Sequence, residues 1–280
     1  MASRLRRPNL ASAFWHVRDA LVTALSKDHG VHPYAKWGGA FWRLLSLADL
    51  GVRPEHAGAV MAAEQTLDWV ASPSRLAVIH KRRIAGRVRR CASQEGRTLQ
   101  ACIDVGLRAD PRLDVLAESL VETQWPDGGW NCDRKPQVTH SSLNETWGPI
   151  LGLARYGEVD AASRGAEFLL EHQVAYSHRT GEPAHPTILR LRYPAYWHYD
   201  LLAGLRTVAA SAGMGDARLE KPLDALEEKR HADGTWHVEG KWWKAPGSKG
   251  SNVEVVDWGR AANEFLTEQA EGVLRAAGRQ

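Results

Sequence analysis

The stretch Gln124–Asp133, QWPDGGWNCD, decides how the rest of the chain is read. Gly128 and Gly129 admit positive φ without steric cost, so an Asp-Gly-Gly reversal is expected there. Trp125 and Trp130 flank it and should clamp the turn against its neighbours, because indoles of that size leave water whenever packing allows. Cys132 and Asp133 follow at once. A weaker copy, KRHADGTW, occupies residues 229–236, and two related turns in one chain suggest a repeat.

Outward from the turn, the pattern is helical throughout. Phe14, Val17, Leu21 and Leu25 fall on one face of a helix expected over Ala11–Ser26. Residues 37–51 (WGGAFWRLLSLADLG) read as a buried helix closed by Gly51, and Pro54 is placed to begin a second helix running over His56–Val70. The same grammar returns. A helix ends at Gly106 and another follows over Leu113–Thr123. Leu143–Gly157 is followed by Asp160–Gln173, Leu201–Gly213 by a helix to about Lys229, and Phe265–Gly278 closes the chain. The terminating glycines at 51, 106, 157, 213 and 278 recur at roughly 50–65-residue intervals, which marks an all-α repeat of about five helical hairpins. Residues 1–36 form an N-terminal helical extension and 37–280 the repeat domain. No strand is expected. Three long polar connections, 73–90, 177–194 and 238–256, exceed what the hairpins need, and functional residues concentrate in such segments. The first carries seven Lys or Arg residues, which fits either a solvated connector or an anion-binding rim.

Composition narrows the class. An apolar content of 44% with 25% charged residues is that of an ordinary globular protein. Lys and Arg (36) exceed Asp and Glu (33) by only 3, so no nucleic-acid partner is expected. No run of 18 apolar residues suggests a transmembrane segment. The basic N-terminus lacks an uninterrupted apolar stretch, so a secretory signal is not expected either. Three cysteines cannot all pair within the chain, and a reducing cytoplasm is the expected location.

The QW-x-DGGW turn between an outer and an inner helix resembles the prenyltransferase and squalene-cyclase repeat of the terpenoid cyclase and protein prenyltransferase superfamily. Gln124–Trp130 carries the resemblance and His231–Trp236 copies it in part. It implies an α/α toroid whose inner helices, those ending at the five glycines, line a central apolar cavity for an isoprenoid-type ligand. The Asp-x-Asp-Asp and Asp-Asp-x-x-Asp motifs of cyclising members are absent, which argues against carbocation chemistry started by a strong acid or a metal-held leaving group. Protein prenyltransferases hold zinc with Asp, Cys and His. The resemblance therefore points to Cys91, Cys132, Asp133 and His198 as ligands for Zn, although Cys132 precedes Asp133 here and no Asp-x-Cys order exists. The alternative reading makes Cys132 a small buried group behind Trp130, Cys91 a helix-entrance residue and His198 a hydrogen-bonded member of WHYD. Cys102, among apolar neighbours, reads as core.

An acid recurs near the entrances of four inner helices: Glu95, Glu145, Asp200 and Glu264. These are candidate catalytic groups ringing one mouth of the cavity, where apolar surroundings raise a carboxyl pKa. Equally, acids favour a helix's first turn because of its partial positive charge. Trp147, Trp197 and Tyr199 are candidate ligand-binding aromatics, with core packing as the competing role. Three functions stay open on the sequence: a cyclase-like or prenyltransferase-like protein with an apolar ligand, a non-catalytic scaffold for a protein partner, and a zinc-dependent enzyme using Cys91, Cys132 and His198.

Overall fold

The structure is a computed structural model and describes residues 10–279. Helix α1 spans Leu10–Leu25 and buries Leu21 and Leu25, while Val17 is 43% exposed; the side chain of Phe14 lies outside the described residues. Helix α2 (Ala40–Asp49) begins three residues later than its sequence pattern suggests, because Trp37–Gly39 forms a turn in which Gly39 lies against the Pro33 carbonyl with no room for a Cβ. Helix α3 (Ala57–Val70) starts after His56, which caps it by accepting from the Ala59 amide; Pro54 lies in the turn before it.

The first polar connection is more ordered than a solvated linker. It holds helix α4 (Pro73–Lys81) and a hairpin of two short strands, β1 (Arg83–Ile84) and β2 (Arg87–Val88), a pairing the sequence pattern did not suggest. Beyond it come α5 (Ala92–Asp104), α6 (Pro111–Glu122), α7 (Leu143–Tyr156), α8 (Val159–Glu171), α9 (Leu201–Ser211), a 3-10 turn (Ala217–Leu219), α10 (Glu220–Glu227) and α11 (Ala261–Ala276). Among the described residues the fold is all-α apart from this hairpin and three isolated β-bridges. No helix among the described residues is long and apolar enough to cross a membrane.

The five glycines that end the repeat units all take positive φ, from +60° at Gly51 to +108° at Gly157, which lets the chain reverse into the next helix without Cβ strain. Helices α2, α5, α7, α9 and α11 pack in that order, each on the next. Behind them, α3 backs α2 and α5, α6 backs α5 and α7, α8 backs α7 and α9, and α10 backs α9. The closest approach joins α5 to α7. A Cβ on Gly96 would fall on Gly148 and Pro149, and one on Gly152 on the Gly96 carbonyl. Glycine is required here by backbone contact between helices.

The two turns are structural copies. In the first, the Trp125 amide donates to the Gly129 carbonyl at 2.8 Å and the Gly128 amide to the Trp125 carbonyl at 2.9 Å. In the second, His231 donates to Thr235 and Gly234 to His231, both at 2.8 Å. Trp130 Nε1 donates to the Leu120 carbonyl and Trp236 Nε1 to that of Leu226; the backbone amides of the same two tryptophans donate to Thr146 and Thr267 hydroxyls. Gln124 holds the first turn through Nε2, which donates to the carbonyls of Gly128 and Ala161. Each turn thus fastens the end of a backing helix to the start of the next inner one.

Candidate metal centre

The first turn delivers Cys132 to the entrance of α5. The Arg90 amide donates to the Asn131 carbonyl at 3.1 Å, which lays residues 90–91 beside 131–132. Cys91 is the N-cap residue of α5. From the facing end of α7, Glu145 reaches across to the same point, where its Oε2 accepts from the Ser93 amide at 3.0 Å and from Ser93 Oγ at 2.9 Å. One ligating atom from each of Cys91, Cys132 and Glu145 lies within 4.8 Å of the others. The half-buried trio separates two clefts. One, of about 510 Å³, is lined by Cys132, Asp133, His140, Glu145 and Trp197; the other, of about 480 Å³, by Cys91, Trp69, Arg75, Val78 and Arg82.

The electrostatics of the trio are those of three acids held too close. The closeness of the two thiols pushes the Cys132 pKa well up and lowers that of Cys91; burial and the neighbouring Glu145 add to the rise at Cys132. Burial raises the Glu145 carboxyl above its ordinary range despite the two bonds from Ser93. A divalent cation reverses this balance by stabilising all three anions at once. The donors also suit it, since thiolates and a carboxylate are zinc ligands, and Zn–S bonds of about 2.3 Å put tetrahedral sulfurs about 3.8 Å apart.

The expected ligand set is therefore regrouped. Cys91 and Cys132 come together as anticipated, but with Glu145, which the sequence pattern placed among the entrance acids. Asp133 folds into a local turn whose carboxylate accepts from the Lys135 amide. His198 is stacked between Trp197 and Trp242, with ring centroids 3.8 and 3.5 Å away, and burial next to Arg192 brings its pKa down to about 3. Neither belongs to the cluster. Cys102 is fully buried and its thiol is pushed up by burial, as a core residue should be.

The four entrance acids separate into different roles. Glu95 is fully buried in ion pairs with Arg75 and with Arg90, the latter at 3.2 Å. Burial pushes its carboxyl up, but Arg90 and Arg75 outweigh that and hold it low. Asp200 caps α9 by accepting from the Ala203 amide at 2.9 Å and also accepts from the Arg192 amide at 3.0 Å; its burial raises the pKa to about 6. Glu264 stands exposed in the first turn of α11. None of the four lines the cleft of about 510 Å³ between α2, α5, α7, α9 and α11, whose walls include Asp49, Gln100, Trp147, Arg155, Arg206 and Phe265. Glu145 instead lines the cleft it shares with Cys132.

Trp147 lines that central cleft under the Arg97 guanidinium, 4.8 Å from its ring. Trp197 borders the Cys132 cleft and a neighbouring one of about 420 Å³, which Tyr199 also lines while donating its hydroxyl to the Val174 carbonyl. Ser93, which orients Glu145, escaped notice in the sequence. Its only signal was its position two residues after Cys91, in the unit preceding Glu145. No protein-family model matches the chain, and neither does any curated protein.

Proposed function

We propose that this chain is a zinc-dependent enzyme built as an α/α toroid of the prenyltransferase type, with the metal at the helix-entrance face. The convergence of Cys91, Cys132 and Glu145 within 4.8 Å carries this reading. Three protein ligands leave a fourth position for substrate, the arrangement of catalytic zinc sites. A bound zinc would supply Lewis acidity and favour a thiolate or hydroxide nucleophile at neutral pH. The chain's own residues do the rest. Ser93 fixes the Glu145 carboxylate, the turn from Trp125 to Trp130 holds Cys132 in place, and the cleft beside Trp197 admits the reactant. Metal analysis of protein purified without chelators should find about one equivalent of zinc, falling below about half in Cys132→Ser and Glu145→Gln and unchanged in Asp133→Asn. A zinc-free wild type that takes up none on addition would end this reading.

The central cleft favours a second reading, an isoprenoid-type ligand with an anionic head. Trp147, Leu151 and Phe265 offer apolar wall, and Arg155 and Arg206 lie beside it. Native mass spectrometry against isoprenoid alcohols and diphosphates should show retention of the diphosphates, weakened at least tenfold by Arg206→Glu, or about 1.4 kcal/mol. Equal indifference to both panels would exclude it.

A further inference from the structure

The two thiols are disposed for a reaction with each other as well as for a shared ion. Their sulfurs lie within 4.8 Å of one another. The bond from the Arg90 amide to the Asn131 carbonyl keeps the two backbones adjacent, and the sulfurs have to close from within 4.8 Å to the roughly 2.05 Å of a disulfide. Both residues are half-buried, and each faces a different cleft, so a small oxidant reaches the pair from either side. Cys102, in the last turn of α5, is fully buried and has no such access.

We propose that Cys91 and Cys132 form a reversible disulfide with hydrogen peroxide as oxidant, and that this oxidation and metal binding exclude one another. One thiol sulfur attacks the peroxide, its S–H proton and the O–O bond being lost as water forms, and becomes a sulfenic acid. The second thiol attacks that sulfur, the S–S bond forms, and the sulfenic oxygen leaves as a second water. Two thiols and one peroxide thus give one disulfide and two waters. Each sulfur gives up one electron, and the two oxygens of the peroxide gain both. A dithiol reductant returns both thiols by exchange. Only thiolates bind zinc, so the disulfide removes two of the three ligands.

Folded wild-type protein, once stripped by a chelator and once loaded with zinc, is treated with a few equivalents of hydrogen peroxide, blocked with an alkylating agent and mapped by non-reducing peptide mass spectrometry. Released zinc is followed with a chromogenic chelator. In the stripped sample a linked Cys91–Cys132 peptide should form in nearly all molecules, with Cys102 alkylated only after denaturation, and a dithiol should reverse the link. In the loaded sample zinc release should keep pace with the same linkage. Cys132→Ala should instead leave Cys91 as sulfenic or sulfinic acid. Retention of both thiols in the stripped sample, or their separate oxidation without linkage, overturns the inference. Linkage in a protein that never takes up zinc upholds the dithiol reaction and refutes the metal reading, so the two failures are distinguishable.

Discussion

Glu95→Gln is expected to cost about 3–5 kcal/mol of folding stability, since breaking a buried ion pair strands the remaining charge. Glu95 is completely buried at the start of α5 and pairs with Arg75 and Arg90. Arg90 is itself 1% exposed, and its Nη1 donates to the Ser119 carbonyl and to the hydroxyls of Ser119 and Thr123, tying α6 to the α5 entrance. The glutamine keeps the size of the side chain and removes only the charge, so Arg90 stays in the core without an anion. That loss is a large part of a domain's usual 5–15 kcal/mol. Urea unfolding at neutral pH measures it. A loss under about 1 kcal/mol would show that water reaches Arg90. Because the Glu95 pKa is held below its unfolded value, its stabilisation is present above that value and fades as pH falls through the lower, folded one.

Asp200 gives the second large effect, with the opposite sign. Its carboxyl rises from 3.8 to about 6 on folding because burial penalises the anion more than its backbone bonds and Arg192 favour it. Well below pH 3.8 it is neutral in both states. Between those two pKa values the unfolded chain has lost the proton and the folded chain keeps it, so stability falls as pH rises across the window and levels off above it. Asn at this position retains an oxygen for the Ala203 amide and cannot ionise. The stability of Asp200→Asn relative to wild type should therefore climb by about 3 kcal/mol between about pH 3.5 and 7, two units at about 1.4 kcal/mol each. Urea titrations of both proteins at a series of pH values give the difference. A flat difference would mean that the Asp200 carboxylate is adequately solvated or paired in the fold.

Where the sequence spoke clearly, it did so through glycine and tryptophan. Gly157 and Trp130 occupy conformations and slots that few other residues tolerate, and their recurrence marked the units before any contact was known. The first half of α5 was less legible. Ser93, Glu95, Arg97 and Gln100 are polar, yet all are buried: Arg90 and Arg75 compensate Glu95, Asp49 pairs with Arg97, Arg97 donates to Gln100 and Ser93 to Glu145. Hairpin β1–β2 was hidden for a related reason. Two-residue strands carry no periodicity, and the arginines around them are held by the face of Trp125, with Arg89 4.6 Å from its ring.

The sequence by itself determined the all-α repeat, the two turns and the place of Cys91 at a helix entrance, because backbone reversal and apolar periodicity are local demands. Only the tertiary structure decided which acid joins the thiols. Asp133 is next to Cys132 in the chain, but its carboxylate turns back to the Lys135 amide, whereas Glu145 is brought across from α7 by the glycine-to-glycine approach of α5 and α7. Ligand sets depend on distances between helices, and those are set by which side chains are small enough to let two backbones touch.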